Sequence, residues 1–420
     1  PETKMWATLD TNVGFYKSQV GFIDFIVAPL WVSLTEIFQD LEEKAHPCKN
    51  VESNKVQWQQ LAHLETAQQG TRQKRFQSHM SHRASVTTLP VDDLLDFGLN
   101  SFGFQQQELC TLYVQIVQFV GCQNACELPT NVIMNYMDKA RHGYRMVPYH
   151  NLIHAFSITQ FLFATYFNSK KIADALQEDD VLALFAASPV HDIDHPGNNN
   201  AWEVATKSEL AIRYNDTAVL ENHHAATGLD IMNDKESDMF CNLSRERLAY
   251  VRETFVYAIL QTDMAQHFRM VDKLKELNSR DGVPYRESAE ERRYLAGVLL
   301  HAVDISNPVL PDFELSRKWA ERINEEFLNQ YRSEKRLGLP QTKMWATIDS
   351  NIGFYKSQVG FIDFLVAPLW NEVTNLFEDL EQRGNLRGNM ATNKRTWQQL
   401  IASVEATWRP TRSPCPTLLS

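Results

Sequence analysis

A stretch of 59 residues near the start of the chain recurs near its end. Residues 3–61 align without a gap on residues 342–400, and 37 of the 59 aligned positions are identical. The longest unbroken match is GFYKSQVGFIDF, at residues 14–25 and again at 353–364. The shift of 339 residues is far longer than the period of a solenoid. The repeat therefore indicates a duplicated domain of about 340 residues.

The repeat also suggests where the domains begin and end. We expect a partial C-terminal copy at residues 1–61, a linker at 62–90, a complete domain at 91–407 and a disordered tail at 408–420. The linker is rich in Gln, Ser, Thr and His, and three prolines follow Trp408 in the tail. The front copy is either a piece without a separate role or a segment that contacts the complete domain or a partner chain.

Composition excludes some classes of protein. The chain has 420 residues, 44% of them hydrophobic, and a net charge of −11. An acidic chain is a poor partner for nucleic-acid polymers, which are bound by clustered Lys and Arg. The six cysteines are scattered, which favours a reduced, cytoplasmic protein. No apolar run approaches the roughly 20 residues that span a bilayer, so no membrane segment is expected.

Hydrophobic periodicity predicts an all-α fold. Between residues 91 and 400, apolar residues recur at spacings of three and four, and convincing alternating strands are absent. The pattern is clearest in five stretches: 109–119, 153–167, 251–277, 294–303 and 319–327. Gly and Pro residues separate these stretches. We therefore expect a large bundle of more than ten helices.

His150 and His154 form the first of four segments that concentrate histidines and carboxylates. Their spacing of four residues would place both on one face of a helix. The pair is not the zincin motif, because Asn151 stands where that motif has a glutamate base. By itself the pair fits ordinary surface or core histidines as well as a metal site.

The other three segments strengthen the case for a metal. His191 and Asp192 follow the apolar run 181–190, and such polar groups are costly to bury without a metal or partners. An imidazole beside a carboxylate suits zinc, manganese or iron, and the carboxylate can bridge two ions. The third segment is ENHH at residues 221–224, and in the fourth Asp304 closes an apolar helix. The four segments together predict a metal centre far more specifically than any one of them.

Residues 140–400 resemble the catalytic domain of class I cyclic nucleotide phosphodiesterases. The resemblance rests on six motifs in the order of that family: YHNLIHA, HDIDHPGNNN, YNDTAVLENHH, LQTDM, HAVDISNP and SQVGFIDF. It implies a large all-helical bundle of the HD-type phosphodiesterase fold with a binuclear metal site. It also implies two divalent ions, zinc plus magnesium or manganese, and hydrolysis of a 3′,5′-cyclic nucleotide to the 5′-monophosphate.

The resemblance implies a role for thirteen residues. Four are implied as ligands of the first ion, with Asp192 bridging to the second: His154, His191, Asp192 and Asp304. Three are implied to hold the waters of the second ion: His195, Glu221 and Thr262. Five are implied in substrate binding: Tyr149, Asn307, Ile323, Gln358 and Phe361. His150 is implied as the proton donor to the leaving oxygen.

The chemistry agrees with this assignment. A cyclic phosphodiester is an anion that repels hydroxide, and two cations about 3.5–4 Å apart offset its charge and lower the pKa of a shared water. A histidine with a pKa near 6.5 is suited to protonate the leaving 3′ oxygen. His150 is not needed as a ligand, because the other three sites fill the protein side of the first ion.

Base recognition is expected at the SQVGFIDF motif. The amide of Gln358 offers one donor and one acceptor to a purine edge, and by rotating it could suit adenine or guanine. Phe361 can stack on the base, and Ile323 can cover its other face. The resemblance implies a preference for cAMP, because Asn307 in the SNP motif matches several cAMP-preferring members of the family, although cGMP is also compatible. Residues 341–350 are expected to form a loop at the mouth of the pocket.

Two other functions are alternatives to a cyclic nucleotide phosphodiesterase. A non-catalytic cyclic-nucleotide sensor should have lost a ligand or the acid, yet His150 and all four implied ligands are present. An HD-type nucleotide phosphohydrolase would lack the purine clamp of Gln358 and Phe361.

Overall fold

The computed structural model describes residues 23–30, 32, 51, 52, 55, 59, 88–121, 126–279 and 287–407. The chain divides into two compact units, Pro1–Ser85 and Val86–Ser420. Most of the front copy, with its base-pocket positions Gln19 and Phe22, lies outside the described residues, as do residues 62–87 and the tail 408–420.

The described part of the second unit is built from α-helices, and no strand occurs within residues 88–407 as far as they are described. The prediction of an all-α bundle of more than ten helices is confirmed. The helices are α1 (Val91–Leu94), α2 (Gln106–Val120), α3 (Thr130–Gly143), α4 (Leu152–Asn168), α5 (Lys170–Ala175), α6 (Glu178–Ala187), α7 (Asn200–Thr206), α8 (Glu209–Arg213), α9 (Val219–Ile231), α10 (Arg245–Leu260), α11 (His267–Asn278), α12 (Ala289–Asp304), α13 (Phe313–Leu337), α14 (Asn351–Phe361), α15 (Ala367–Leu376), α16 (Glu378–Gly384) and α17 (Leu386–Thr407).

Short 3₁₀ and π segments join several of these helices. A π-helix, Ile362–Val366, lies between α14 and α15. The 3₁₀ turns are Ser101–Gly103, Ser188–Val190, Met264–Gln266, Asn307–Val309 and Lys343–Trp345. Lys343–Trp345 lies within residues 341–350, which are otherwise turns and irregular backbone, as expected of a loop.

The core of this unit forms around α4, α6, α10 and α12. Helix α6 packs on α10, and α12 packs on both α10 and α4. Residues 155, 156 and 158–165 of α4 are all buried, which agrees with its largely apolar sequence. Fully burying one large apolar side chain stabilises a fold by about 1.5–3 kcal/mol. Among the described helices, none has the length and apolar character needed to cross a bilayer.

Helix α4 begins later than the spacing of His150 and His154 suggests. Asn151 is its N-cap, and the Asn151 Oδ1 atom accepts hydrogen bonds from the backbone N–H groups of Ile153 (2.9 Å) and His154 (3.3 Å). His150 therefore precedes the helix, and the expectation that both histidines project from one helical face was wrong. The two rings are still neighbours, with centroids 5.8 Å apart.

The periodic stretch 251–277 is two helices rather than one. Helix α10 ends at Leu260, and a 3₁₀ turn precedes α11. The Asp263 side chain accepts a hydrogen bond from the backbone N–H of Ala265 at 2.9 Å, which stabilises the turn. The break separates Thr262 from the helix that follows.

In the first unit, Ile23–Val27 forms a π-helix. An ion pair joins Lys55 Nζ to Asp24 Oδ1 at 2.7 Å. Both features fall within the repeat that the sequence identifies.

Candidate metal centre and active site

Three separate elements bring four implied ligands together. His154 lies in the first turn of α4, Asp304 is the last residue of α12, and His191 and Asp192 follow the 3₁₀ turn after α6. One ligand atom from each residue lies within 4.8 Å of the other three. His154 and His191 are fully buried, and Asp192 is 7% exposed.

The four ligand atoms converge at near-contact distances. His154 Nε2 is 3.1 Å from Asp304 Oδ1 and 3.2 Å from Asp192 Oδ2. His191 Nε2 is 3.2 Å from the same two carboxylate oxygens. The Nδ1 atom of His191 is 2.8 Å from the Ser188 carbonyl oxygen, so Nδ1 carries the proton and Nε2 presents a lone pair. In neutral His191, that lone pair and both carboxylates can only accept at this point.

A divalent cation fits this arrangement because it would satisfy several acceptors at once. Asp192 Oδ2 is buried and makes no hydrogen bond of normal geometry with the described residues. Buried polar atoms of this kind are uncommon without an ion or water. Two imidazoles and two carboxylates, brought to one point, form a donor set typical of zinc or another first-row divalent ion.

Electrostatics also favour a cation here. Burial opposes ionisation of Asp192 and Asp304, yet His191 and His154 hold the pKa of both carboxyls well below the usual value. The same two carboxyls outweigh burial at His191 and raise its pKa well above the usual value. The protein therefore keeps two carboxylates charged in a buried position, and a bound cation can take over the balancing role of a protonated histidine.

His150 is paired with a residue that the sequence pattern does not identify. Glu326, on α13, is 2% exposed, and its Oε2 atom is 2.5 Å from His150 Nδ1. Glu326 Oε1 accepts hydrogen bonds from the backbone N–H groups of Tyr149 (2.6 Å) and His150 (3.0 Å). Burial alone would lower the pKa of His150, but the charge and hydrogen bond of Glu326 raise it to about 9.

This pairing suits proton donation. With Nδ1–H directed at Glu326, Nε2 of the protonated ring carries the second proton. A second cluster that could hold a metal comprises His150, His195 and Glu326. Because Glu326 already accepts from His150 and two backbone N–H groups, this cluster needs no cation for charge balance.

His195 lies directly beside His150. The two rings stack with centroids 3.9 Å apart and an interplanar angle of 19°. His195 Nδ1 accepts a hydrogen bond from the Gly197 backbone N–H at 3.0 Å, which leaves Nε2 as the protonated nitrogen. Burial, and then the charge of His150, lower the pKa of His195 well below its usual value. His195 is therefore a neutral hydrogen-bond donor next to the acid.

Glu221 and Thr262 have different surroundings. Glu221 accepts hydrogen bonds from Asn200 Nδ2 at 2.9 and 3.2 Å, and burial followed by the charge of Asp263 raises its pKa to about 7. The hydroxyl of Thr262 donates to the Ile259 carbonyl at 2.8 Å. In the described part of the chain, no hydrogen bond joins Thr262 to the four implied ligands.

The implied substrate residues are less firmly held than the ligands. Asn307 Nδ2 donates to the Tyr149 hydroxyl oxygen at 2.6 Å, so the amide donor is engaged with the protein. Gln358 is half-buried, and its Nε2 atom is 3.5 Å from Ser357 Oγ. Ile323 and Phe361 are half-buried and pack against the core. A purine site would therefore lie at the edge of the core rather than inside it.

The sequence does not predict the hydrogen-bond network around Asp194. Asp194 has a left-handed backbone (φ 63°), which is unusual for a residue other than glycine. Its carboxylate accepts hydrogen bonds from Arg145 Nε at 2.6 Å and His223 Nε2 at 2.8 Å. These contacts hold the turn that follows Asp192. The left-handed conformation cannot be read from the sequence HDIDHPG itself.

Comparison with known proteins agrees with this geometry. Residues 149–385, more than half of the chain, match the family described as 3′5′-cyclic nucleotide phosphodiesterase. The chain is 33% identical over 283 residues to the dual specificity calcium/calmodulin-dependent 3′,5′-cyclic nucleotide phosphodiesterase 1B of Bos taurus, covering 66% of this chain and 51% of that protein. The identity to the Homo sapiens protein of the same name is 34%, with the same coverage. The chain thus spans about half the length of the curated relatives it matches.

A solved structure is similar over most of the chain. The phosphodiesterase domain of the RhoPDE fusion protein from the choanoflagellate Salpingoeca rosetta aligns with a TM-score of 0.71 and 27% identity. The alignment covers 74% of this chain and 97% of that domain. The chain belongs to the 3′,5′-cyclic nucleotide phosphodiesterase family, and it carries a class I catalytic domain of that family.

Proposed function

We propose that the chain hydrolyses the 3′ phosphoester of a 3′,5′-cyclic nucleotide and releases the 5′-monophosphate. The observation that carries this proposal is the convergence of His154, His191, Asp192 and Asp304 within 4.8 Å. The pairing of His150 with Glu326 beside that centre supports it, because a protonated imidazole is a suitable donor to a leaving oxygen.

The proposed roles follow from the contacts. His154, His191, Asp192 and Asp304 would hold one divalent ion, and a second ion would share Asp192. Bound ions would supply charge neutralisation for the phosphoryl oxygens and an activated water. The donor set favours zinc at the first position, and magnesium or manganese would accept a second position made mostly of water.

The remaining polar residues would orient water and protonate the product. Glu326 fixes the Nδ1 side of His150, so His150 donates from Nε2 to the 3′ oxygen. The neutral imidazole of His195 and the carboxyl of Glu221 would orient water of the second ion. For Thr262, the proposal that it also orients this water rests on the family resemblance alone.

We propose cAMP as the favoured substrate, with cGMP as the second choice. The support is Asn307 in the SNP motif. Its amide is hydrogen-bonded to Tyr149, so any preference would depend on how this pair faces the base. The amide of Gln358 has a single described partner at 3.5 Å, which leaves it free to adapt to either purine. A cytoplasmic location is proposed from the scattered cysteines.

We also infer that residues 1–61 are a partial copy of the domain's C-terminal part. Two described features of the front copy support this inference. The π-helices Ile23–Val27 and Ile362–Val366 are offset by 339 residues, the same shift as the repeat. The ion pair between Lys55 and Asp24 has its counterpart, at the same shift, between Lys394 and Asp363.

A docking role for residues 1–61, on the complete domain or on a partner chain, is a separate hypothesis. Removing these residues and measuring the molecular mass in solution and the rate of hydrolysis tests it. If both are unchanged, the front copy has no such role.

Hydrolysis assays test the proposed activity. The purified chain should convert cAMP, and more slowly cGMP, to the 5′-monophosphate with magnesium present, and chelation should stop the reaction. Asp304→Ala should lack activity, whereas Asp174→Asn, which removes an exposed carboxylate on α5, should keep it. Absence of turnover in a folded, metal-loaded protein would favour the sensor function. Turnover of a nucleoside monophosphate instead would favour a general HD-type hydrolase.

A further inference from the structure

Helix α13 has a buried face made of polar residues. Glu326, Gln330 and Glu334 are spaced four residues apart and are 2%, 2% and 3% exposed. This spacing places them along one side of the helix, which we call the buried polar face of α13. Burying such groups is costly unless each is hydrogen-bonded, so their partners reveal what the face holds in place.

Gln330, in the middle of the buried polar face, is hydrogen-bonded to Asn199, in the segment that follows His191 and Asp192. Its Oε1 atom accepts a hydrogen bond from the Asn199 backbone N–H at 2.8 Å, and its Nε2 atom donates to Asn199 Oδ1 at 2.9 Å. The Gln330 Nε2 atom also donates to Glu334 Oε1 at 2.8 Å. Gln330 and Glu334 are therefore hydrogen-bonded to each other as well as to the segments they hold.

Glu334 holds the start of the loop at residues 341–350. Glu334 Oε2 accepts a hydrogen bond from the Thr342 backbone N–H at 2.8 Å, and Oε1 accepts one from the Thr342 hydroxyl at 3.0 Å. None of its described partners carries a positive charge. A buried carboxylate that relies on hydrogen bonds alone depends on each of them strongly.

The loop then runs back along α13. Trp345 stacks on Phe327, with ring centroids 4.5 Å apart and an interplanar angle of 13°. Further along, Asn324 Nδ2 donates to the Ile348 carbonyl at 3.2 Å. Successive residues of the loop are thus anchored to residues 334, 327 and 324 of α13. The last of them adjoins Ile323, the proposed cover of the purine.

The loop also leads directly into α14, which carries Gln358 and Phe361. Its position consequently affects both proposed walls of the purine pocket. The four metal ligands lie on α4, on α12 and in the turn after α6, and none of them contacts this loop among the described hydrogen bonds and ion pairs. A change at Glu334 should therefore affect substrate binding before it affects the chemistry.

We propose that Glu334 is a positioning residue for the purine pocket, acting through Thr342 and the loop at residues 341–350. This inference rests on the proposed phosphodiesterase function. It assigns Glu334 no contact with the substrate. Glu334 instead fixes the end of the loop that lies farthest from Ile323. This anchor keeps Trp345 stacked on Phe327.

Steady-state kinetics with cAMP and cGMP test this proposal. Glu334→Ala leaves the Thr342 N–H without an acceptor and removes one of the two acceptors of the Gln330 amide. KM should therefore rise about tenfold while kcat stays within about twofold. Glu334→Gln keeps the size and one accepting oxygen, so it should restore most of the lost affinity. Glu325→Ala is the matched control, because Glu325 is the exposed carboxylate next to Glu326 on the same helix.

A second pair of variants covers the case in which Glu334→Ala does not fold. Thr342→Val removes only the hydroxyl hydrogen bond and should raise KM by about threefold, whereas Thr342→Ser should leave KM unchanged. A fall in melting temperature with unchanged KM in either set would reduce Glu334 to a structural residue and overturn the proposal. If the parent chain hydrolyses neither nucleotide, the proposed function itself has failed, which is a different result.

Discussion

The candidate metal centre and the proposed purine pocket lie in the same helical unit but are built differently. In the candidate metal centre, four side chains from three elements meet within 4.8 Å. His154, His191 and Asp192 are buried, and Asp304 Oδ1 lies within hydrogen-bond distance of both histidines. In the purine pocket, Gln358, Phe361 and Ile323 are half-buried, and the Gln358 amide has one weak partner. The candidate metal centre is therefore preorganised, whereas the proposed purine pocket depends on the surrounding loop and helices.

This difference has a physical basis. Bringing two carboxylates together in a buried place is costly, so the surrounding structure must hold them firmly for an ion to be bound. A purine, by contrast, is bound by stacking and one amide, which tolerate small adjustments. Substitutions in the metal centre should consequently remove activity, and those in the pocket should change affinity and preference.

The largest effect is expected in the metal centre. Asp192→Ala removes the carboxylate proposed to be shared by both ions, and kcat/KM should fall at least about 10⁴-fold because charge stabilisation worth several kcal/mol is lost. Metal analysis of the purified variant should show less than the parent's content. Near-parent activity with full metal content would contradict the assignment of the centre.

The next largest effect is expected at the proton donor. His150→Gln keeps a polar side chain but cannot supply a proton, and kcat should fall about 10³-fold. Metal content should be unchanged, which separates this variant from Asp192→Ala. A substrate analogue whose leaving oxygen needs no proton should be hydrolysed at a similar rate by both proteins. A loss of the same size with this analogue would mean that His150 is not the acid.

A smaller effect, with a distinctive pH dependence, is expected at Glu326. Glu326 raises the pKa of His150 from 6.5 to about 9, so the imidazole stays protonated at neutral pH and activity should decline as the pH rises through about 9. Glu326→Gln should move this alkaline limb towards lower pH and reduce kcat/KM about tenfold near pH 8. An unchanged pH profile would show that Glu326 does not control the acid.

The same pair should affect stability in a defined pH window. Because the pKa of His150 is higher in the folded chain, its contribution to the free energy of unfolding is fully present below about pH 6.5 and is lost as the pH rises through about 9. Thermal melts of the parent and Glu326→Gln should therefore differ most between the pH at which Glu326 protonates and about pH 6.5, and they should converge above pH 9. A constant difference across this range would contradict the linkage.

The smallest effect is expected in the purine pocket. Gln358→Ala removes an amide with one weak protein contact, so the fold should be retained and KM for both nucleotides should rise about three- to tenfold. Steady-state kinetics with cAMP and cGMP measure this change. If KM is unaffected, the base is recognised elsewhere. If kcat falls as far as in His150→Gln, the contrast between the two regions is wrong.

Much of the metal centre could be predicted from the sequence, because its ligands lie in short motifs with unusual residue types. The residues that support the centre could not. Glu326 and its neighbours on α13 have helical spacing, but a run of Glu and Gln with that spacing normally indicates a solvated face. Only the packing of α13 against the His150 segment turns this face inward.

Local geometry was also decided by contacts that a pattern does not contain. Asn151 caps α4 and so places His150 before the helix, although the four-residue spacing suggested one continuous face. Asp194 adopts a left-handed backbone whose carboxylate is held by Arg145 and His223, residues 49 and 29 positions away.

The sequence by itself determined the all-α class, the repeat and the family resemblance, and through that resemblance it implied the four ligands, because these depend on periodicity and on residue type in short segments. The tertiary structure decided which polar residues are buried, which proton His150 can donate and how the loop at 341–350 is fixed. Burial and pairing arise when segments far apart in the chain come together, as His150 and Glu326 do across 176 residues. The pKa of His150 and the contacts that anchor the loop at residues 341–350 therefore depend on which distant segments pack together in the folded chain.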